Sequence, residues 1–442
     1  MKKMPESEEF RKGVERILLE AVEKVGELIE GSECTIDIDV LMRVEMGRWA
    51  RELLGLALSE RGSKARYGES VECRCGGRAW YKQNRGHTIG TVLPGREVGI
   101  KAAYYVCESC RRGVTPLLEE MGTDGDGTTV GLQQLLVLAG TIEPYREASE
   151  NLLRKFACVD VGETCVRMKC LEEGAAVEEY LNDGEGMGSG LDRDQAIHVE
   201  IDGGMIHSND RWQEVKLCVI SPENGRVETS EGRGKLMNRE IIAVRGGCDE
   251  FAESMDNRLY NYDLSYRKAV IIGDGAKWIW NLAGDRFPNR VEILDYYHAT
   301  EHLWLCANEV FGETSEKAHE WVAEQETRLL DDRAGEVIEI VRLLKDRLRA
   351  KHKRKTLDDL AGYFQANIGR MRYKTYLQMG LSIGSGAVES AVKHVVQSRM
   401  KRPGMRWQND GADSMIALRC LYRSTDRWGA YWNNRKSLRL AA

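Results

Sequence analysis

The chain has 442 residues, of which 42% are hydrophobic and 30% charged, and it contains 12 cysteines. A chain of this length normally forms about two to four domains or subdomains with separate cores. The balance of apolar and charged residues is typical of soluble globular proteins. The N-terminus lacks the apolar segment of a signal peptide, and no apolar run is long enough to span a membrane. The sequence therefore predicts a cytoplasmic protein.

The net charge of −6 conceals an uneven distribution. From Val341 to the end there are 22 lysines and arginines against 7 acidic residues, so the part before Val341 is strongly acidic. A basic C-terminal part of this kind is typical of proteins that bind a polyanion, and it is also typical of well-solvated helix faces. Charge alone does not separate these two interpretations.

Helical periodicity predicts two amphipathic helices near the N-terminus, one over residues 8–31 and one in VLMRVEMGRWARELLGLALSERG. From Tyr67 the pattern changes to short β-type runs flanked by two cysteine pairs. The pairs are Cys73 with Cys75 and Cys107 with Cys110.

Two cysteine pairs separated by strands resemble a zinc ribbon, in which four thiolates surround one Zn²⁺ ion. The first pair has the spacing C-x-C, which is one residue shorter than usual, and His87 between the pairs is a further candidate ligand. The alternative is four cysteines without a metal in the core or in turns.

A glycine- and aspartate-rich link, MGTDGDGTT, precedes a helical region. The pattern predicts a helix, a break near Val159 to Gly162, and a second helix whose exposed face carries Arg167 and Lys169. This arrangement is compatible with a helix-turn-helix that places its second helix in a DNA major groove. Two ordinary packed helices would give the same pattern.

The central part alternates strands with helices, which predicts an α/β fold. Predicted strands are AIHVEIDGG, EVKLCVIS, KAVIIGD and RVEILDYY, with GRVETSE as a third strand after EVKLCVIS and REIIAVRGG as a weaker candidate. Predicted helices are DEFAESMDNRLYNY and HATEHLWLCANEVF.

Two of these strands end at a carboxylate beside glycine, Asp202 and Asp274. Ligands in open α/β sheets bind at the carboxyl ends of the strands, so both aspartates are expected at one edge. Adjacent carboxylates repel each other unless they share a cation, and oxygen ligands favour Mg²⁺ or Mn²⁺. A third candidate is Glu389, in the first turn of a helix that a glycine-rich turn opens. A carboxylate there is also suited to ordinary helix capping.

Four segments occur in order along the chain: IDGG, IIGDGAKW, DYYHATEHLW and GSGAVESAVKHVVQSRMKRPGMRW. This set resembles bacterial insertion-sequence transposases of the ISKra type, relatives of the Mutator-like DDE elements, over nearly the whole chain. The resemblance implies an RNase H-like catalytic core with a helical insertion. It also implies that Asp202, Asp274 and Glu389 form a DDE triad, which holds two Mg²⁺ or Mn²⁺ ions for phosphoryl transfer.

The resemblance assigns further roles. Asp295 and His298 match the D-x-x-H motif of the group, and His302 follows one turn later. His298 is expected to contact the scissile phosphate or to support a metal ligand, with a purely structural role as the alternative. The expected DNA-binding cations are Lys277, Lys393, Arg399, Lys401, Arg402 and Arg406, together with Arg167 and Lys169 of the helical region.

The predicted domains are residues 1–66 (N-terminal helices), 67–120 (zinc-ribbon-like module), 126–190 (helical, with the possible helix-turn-helix), 196–308 (first part of the catalytic core), 309–380 (helical insertion), 381–425 (last part of the core) and 426–442 (basic tail). The expected function is DNA cleavage at the ends of an insertion sequence followed by strand transfer. The expected partners are double-stranded DNA, as terminal inverted repeats and target, and further copies of the chain, assembled on the nucleoid. Alternatives are a catalytically silent DNA-binding regulator, a structure-specific RNase H-like nuclease and a zinc-dependent interaction protein.

Overall fold

In the computed structural model the chain is a mixed α/β protein with two units, Met1–Glu173 with Gly429–Ala442 and Gly174–Trp428. The described residues are 7–31, 38–182, 191–192, 195–230 and 233–441. The start of the predicted region 1–66 and the end of the predicted region 126–190 therefore lie outside them. Among the described residues, no helix is both long and apolar enough to cross a bilayer.

The two predicted N-terminal helices are present as α1 (Glu8–Gly31) and α2 (Ile38–Arg61), and a short helix α3 (Lys64–Tyr67) follows. The predicted β-rich module is an antiparallel sheet in the order β1-β2-β3-β4. Its strands are β1 (Ser70–Glu72), β2 (Arg78–Gly90), β3 (Glu97–Cys107) and β4 (Gly113–Val114). One end of the long β2–β3 hairpin packs against α2, and the other end carries the cysteines.

The helical region after this sheet follows the predicted pattern. Its helices are α4 (Pro116–Glu120), α5 (Val130–Ile142), α6 (Tyr145–Glu147), which continues as a π-helix (Ala148–Ala157), and α7 (Glu163–Asn182). The break between the last two elements begins at Cys158, whose φ is 55°. The helix, the break and the second helix are thus confirmed.

The second unit is built on a five-stranded mixed sheet in the order β11-β10-β5-β6-β9. Its strands are β5 (Ile197–Ser208), β6 (Arg211–Pro222), β9 (Glu240–Arg245), β10 (Ala269–Gly273) and β11 (Arg290–Leu294). The first three pair antiparallel, whereas β10 runs parallel to both β5 and β11. All five residues of β10 are buried, as its uninterrupted apolar run predicts.

The third strand of this sheet corrects the prediction. The preferred candidate, GRVETSE, forms β7 (Arg226–Ser230), which pairs with β8 (Arg233–Leu236) in a separate ribbon. The weaker candidate, REIIAVRGG, supplies β9 instead. The physical reason is burial, because Ile241 and Ile242 of β9 are fully buried and extend the apolar surface of β6 on the two opposite faces of the sheet.

Helices surround this sheet. They are α8 (Cys248–Leu259), α9 (Lys277–Arg286) and α10 (Tyr296–Phe311), then the helical insertion, and finally α15 (Gly386–Ala391), α16 (Ser398–Met400) and α17 (Asn409–Arg423). The C-terminal helix α18 (Arg427–Ala441) belongs to the first unit from Gly429 onward. The insertion contains α11 (Glu316–Leu330), α12 (Ala334–Asp346), α13 (Lys351–Asn367) and α14 (Tyr373–Gln378). A π-helix (Val392–Gln397) joins α15 to α16, so residues 386–400 form one continuous helical segment.

Candidate functional site

The four paired cysteines come together in one cluster. Their sulfur atoms all lie within 4.8 Å of one another, with 3.7 Å between Cys73 and Cys110 and 3.6 Å between Cys75 and Cys107. A tetrahedral zinc ion with Zn–S bonds of about 2.3 Å needs sulfur–sulfur distances of about 3.8 Å, whereas a disulfide needs about 2.0 Å. The cluster therefore has the dimensions of a zinc site, and these four residues could hold a structural Zn²⁺ ion.

Each pair lies in a tight turn that positions its sulfurs. The N–H of Gly76 donates to the carbonyl of Cys73 at 2.8 Å, and the N–H of Arg111 donates to the carbonyl of Cys107 at 3.0 Å. Gly76 has a φ of 80°, which glycine adopts without strain. The first turn thereby accommodates the short C-x-C spacing. In the second turn, the N–H of Cys110 lowers the pKa of Cys107 to about 6, which favours the thiolate that a metal ion requires.

His87, the further candidate ligand, lies outside this cluster. It pairs with Ile100 within the β2–β3 ladder. Burial and the nearby Arg85 lower the pKa of His87, which favours the neutral imidazole. The four cysteines thus form the ligand set without this histidine.

Asp202 and Asp274 follow equivalent positions on neighbouring parallel strands. Ile201 of β5 pairs with Gly273 of β10, so the next residue on each strand is one of the two aspartates. The N–H of Gly203 donates to Oδ1 of Asp202 at 2.7 Å, and the N–H of Ala276 donates to Oδ1 of Asp274 at 2.9 Å. The register thus makes the two aspartates neighbours. Asp202 does not end its strand as predicted, because β5 continues to Ser208 alongside β6, whereas Asp274 directly follows β10.

Glu389 lies in the first turn of α15, and its side chain is exposed. This helical segment packs on the face of β5 that carries Asp202, since a Cβ atom on Gly204 would lie 3.2 Å from Val392. Although the side chain is exposed, its partial desolvation raises the pKa of Glu389, and the charges of Asp295 and Asp202 raise it further. The three predicted acids therefore belong to one electrostatic neighbourhood.

The same neighbourhood is short of positive charge. Burial raises the pKa of Asp202, and the charge of Asp274 adds to this effect. In the described part of the chain, neither aspartate nor Glu389 forms an ion pair with a lysine or arginine. The cysteine cluster is also the only group of described side chains close enough to hold a metal ion, so the three acids do not converge that tightly. Adjacent carboxylates repel one another unless they share a cation.

Most of these residues fall within the region matched by one family model, which spans residues 70–436. The model is that of Uncharacterised protein family UPF0236. The chain belongs to this family. No curated protein matches the chain. The matched region of this UPF0236 protein includes both the cysteine cluster and the three acids.

Asp295 accepts hydrogen bonds from the first turn of α10 and from Ser385, just before α15. Its Oδ1 caps α10 by accepting the N–H of Tyr297 at 2.6 Å and that of His298 at 3.1 Å. Its Oδ2 accepts the N–H of Ser385 at 2.8 Å and also the hydroxyl of Ser385. Since Asp295 is buried and both its oxygens are engaged, it holds the turn before α15 rather than a metal ion.

Glu200 is a buried carboxylate that sequence reasoning missed. Its Oε2 accepts the N–H of Ala387 at 2.8 Å and that of Val388 at 3.0 Å, at the start of α15. Burial raises the pKa of Glu200 to about 7. The available signal was its place in the run AIHVEIDGG, where an ionisable residue interrupts a strand that is otherwise suited to the core.

The histidines of the D-x-x-H motif meet a tyrosine from the helical insertion. The ring of His302 stacks on Tyr363 at 4.2 Å, and His298 lies 5.0 Å from His302. The hydroxyl of Tyr363 donates to the main-chain carbonyl of Asp274 at 2.7 Å. Burial, followed by the charge of His298, lowers the pKa of His302, so its imidazole is neutral. No sequence signal marked Tyr363.

The cations predicted to bind DNA differ in accessibility. Lys277, Lys393 and Lys401 are exposed, and Lys401 lies 5.3 Å from the centre of the Trp212 ring. Arg406 is exposed and forms an ion pair with Asp210. These four side chains are therefore accessible to solvent.

Three other predicted cations are more constrained. Arg399 is buried against the ring of Trp407, so the expectation that it contacts phosphate is wrong for this conformation. Arg402 is half-buried, and its Nε donates to the carbonyl of Ser398. In the helical region, Arg167 is exposed as predicted. Lys169 is not, because it pairs with acidic side chains at 2.7 Å (Asp124) and 3.1 Å (Glu172).

Proposed function

We propose that this protein is a DDE transposase, which cleaves DNA at the ends of an insertion sequence and transfers the resulting 3′ ends to target DNA. The observation that carries the proposal is the placement of the three acids. Asp274 directly follows β10, Asp202 lies beside it on the parallel strand β5, and the helical segment that bears Glu389 packs across β5.

The sheet supports the same proposal. Three consecutive antiparallel strands are followed by two parallel ones, and the first strand, β5, lies at the centre. This arrangement suits the RNase H-like core that the four sequence segments imply. The helices between α10 and α15 stand where that resemblance expects an insertion.

The acidic site fits divalent cations. Three carboxylates share one neighbourhood without a compensating lysine or arginine among the described residues. Asp202, Asp274 and Glu389 would hold Mg²⁺ or Mn²⁺, which are hard ions that prefer oxygen ligands. When bound, such ions polarise a phosphate and favour ionisation of the attacking water or 3′-hydroxyl.

The protein's own groups position the reaction. Backbone N–H groups fix one oxygen of each aspartate, at 2.7 Å for Asp202 and 2.9 Å for Asp274, and thereby orient the other oxygen. Lys277 is exposed just beyond Asp274 and is available to a DNA phosphate. The neutral imidazole of His302 stacks on Tyr363, and the hydroxyl of Tyr363 donates to the main-chain carbonyl of Asp274.

Charge-neutralising variants test this function. Asp202→Asn, Asp274→Asn and Glu389→Gln are each expected to reduce Mn²⁺-dependent nicking of the DNA that flanks the coding region by about 1000-fold or more, with duplex binding retained. Asp285→Asn, an exposed aspartate on α9, is the matched control and should cut normally. Normal cutting by any of the three site variants would refute the triad.

The same assay distinguishes the alternative functions from transposition. A structure-specific nuclease would nick DNA without joining a 3′ end to a second duplex. A DNA-binding regulator would bind the terminal repeats without nicking them. Strand transfer products from the wild-type chain would exclude both alternatives.

A further inference from the structure

The helical segment that bears Glu389 starts in an unusual way. The first N–H groups of a helix have no partner within the helix, and a serine at the preceding position commonly accepts one of them. Ser385 occupies that position, yet its side chain makes no such bond. Its hydroxyl donates to Asp295 instead. The first turn of α15 therefore needs an acceptor from elsewhere in the chain.

Glu200 supplies that acceptor. Its Oε2 receives the N–H groups of Ala387 and Val388 at 2.8 and 3.0 Å, and only 3% of the residue is exposed. A carboxylate buried to this extent is costly unless hydrogen bonds and favourable charge compensate. The two N–H groups and the positive end of the helix provide both. The start of the helical segment that carries Glu389 thus stabilises the buried carboxylate.

The covalent connections on both sides of this contact are short. Glu200 precedes Asp202 by two residues on β5, so both side chains lie on the same face of the sheet, about 7 Å apart along the strand. On the helix, Val388 is directly followed by Glu389. The hydrogen bonds therefore join two short chain segments, each of which carries one of the three acids. Asp295, at the end of β11, ties the same turn to the sheet a second time.

We infer that Glu200 is a positioning residue, which sets the distance between Asp202 and Glu389 by holding the helix start against β5. This inference rests on the proposed function. Groups that orient metal ligands typically change metal affinity by about 10- to 100-fold when they are removed. Replacing Glu200 is expected to weaken metal binding by a similar factor, although Glu200 contacts neither the metal ion nor the DNA.

Two measurements on the full-length chain test the inference. Hydrogen exchange of residues 384–392 reports whether the first-turn amides are protected, and the electron paramagnetic resonance signal of free Mn²⁺ reports metal binding. Glu200→Ala should speed exchange at Ala387 and Val388 and weaken Mn²⁺ binding by about 10- to 100-fold. Glu200→Gln retains an acceptor oxygen and should restore part of both.

A matched control separates positioning from general destabilisation. Ser315 caps α11 by accepting the N–H of Ala318 at 3.2 Å, within the helical insertion. Ser315→Ala also removes a helix cap, and it should lower the melting temperature while leaving Mn²⁺ binding within twofold of wild type. An equal loss of Mn²⁺ binding in this variant would overturn the positioning role.

The remaining outcomes are also decisive. Unchanged exchange at Ala387 and Val388 in Glu200→Ala would show that Glu200 does not cap the helix. Faster exchange with unchanged Mn²⁺ binding would reduce Glu200 to a structural cap and overturn its positioning role. If wild-type Mn²⁺ binding did not depend on Asp202, by comparison with Asp202→Asn, the proposed function itself would fail. The exchange data would then still decide whether Glu200 caps the segment.

Discussion

The cysteine cluster and the acidic site are both candidate metal centres, and they differ in how far the protein alone assembles them. The four sulfurs already have the spacing of a tetrahedral zinc site. The three acids share an electrostatic neighbourhood without converging to that degree. Thiols can gather as neutral groups, whereas ionised carboxylates repel one another until cations arrive. The cysteine cluster thus has the dimensions of a metal site without its ion, and the acidic site does not.

The largest expected effect concerns the cysteine cluster. Cys107→Ser should abolish zinc binding and unfold the β1–β4 sheet, because a structural zinc ion contributes about 10–16 kcal/mol in zinc-finger peptides. Metal analysis of the purified chain and far-ultraviolet circular dichroism would measure both effects. Cys248→Ser, an exposed cysteine outside the cluster, is the control. A Cys107→Ser chain that kept one zinc ion per molecule would contradict the assignment.

The next effect concerns the backbone beside Asp274. Gly275 has a φ of 95°, and a Cβ atom there would lie 2.7 Å from the ring of Tyr363. Gly275→Ala should therefore cost about 1–3 kcal/mol of unfolding free energy. The control is Gly362→Ala on α13, where a Cβ atom meets nothing within 4 Å. This control should be neutral or stabilising by up to about 1 kcal/mol. Urea unfolding of both variants would test the contact.

Replacing Asp202 in the acidic site should increase the unfolding free energy rather than reduce it. The pKa of Asp202 is raised in the fold, so folding favours the protonated form and the ionised form opposes it. In buffer without divalent cations, Asp202→Asn should raise the unfolding free energy by up to about 1 kcal/mol at neutral pH. The gain should vanish below the ordinary aspartate pKa of about 4. Lower stability at neutral pH would show that Asp202 is not repelled by its neighbours.

The smallest expected effect concerns DNA affinity. Replacing Lys401 and Arg402 by glutamine should weaken duplex binding and reduce the slope of log affinity against log salt by up to about 2. The exposed Lys401 should contribute more than the half-buried Arg402. Lys12→Gln, in α1, is a control for charge alone. Fluorescence anisotropy at several salt concentrations would measure the slope. An unchanged slope would show that the DNA does not contact Lys401 and Arg402.

Local sequence patterns were sufficient where neighbouring residues decide the structure. Apolar periodicity predicted α1 and α2, and the uninterrupted apolar run predicted the buried strand β10. The cysteine pairs predicted the cluster, because the chain returns to the same place across one hairpin. Asp202 and Asp274 were predictable as neighbours, since each follows an apolar run and the two runs pair in parallel.

Other features depended on which distant segments are buried together. Nothing local determines that β9, rather than GRVETSE, completes the sheet, or that the ring of Trp407 covers Arg399. Glu200 and Tyr363 acquire their roles only when α15 and α13 pack against the strands. The sequence by itself determined most of the helices and strands and the two aspartates that follow apolar runs. The tertiary structure decided which buried groups hold those acids, because burial and hydrogen bonding join residues that are far apart in the chain.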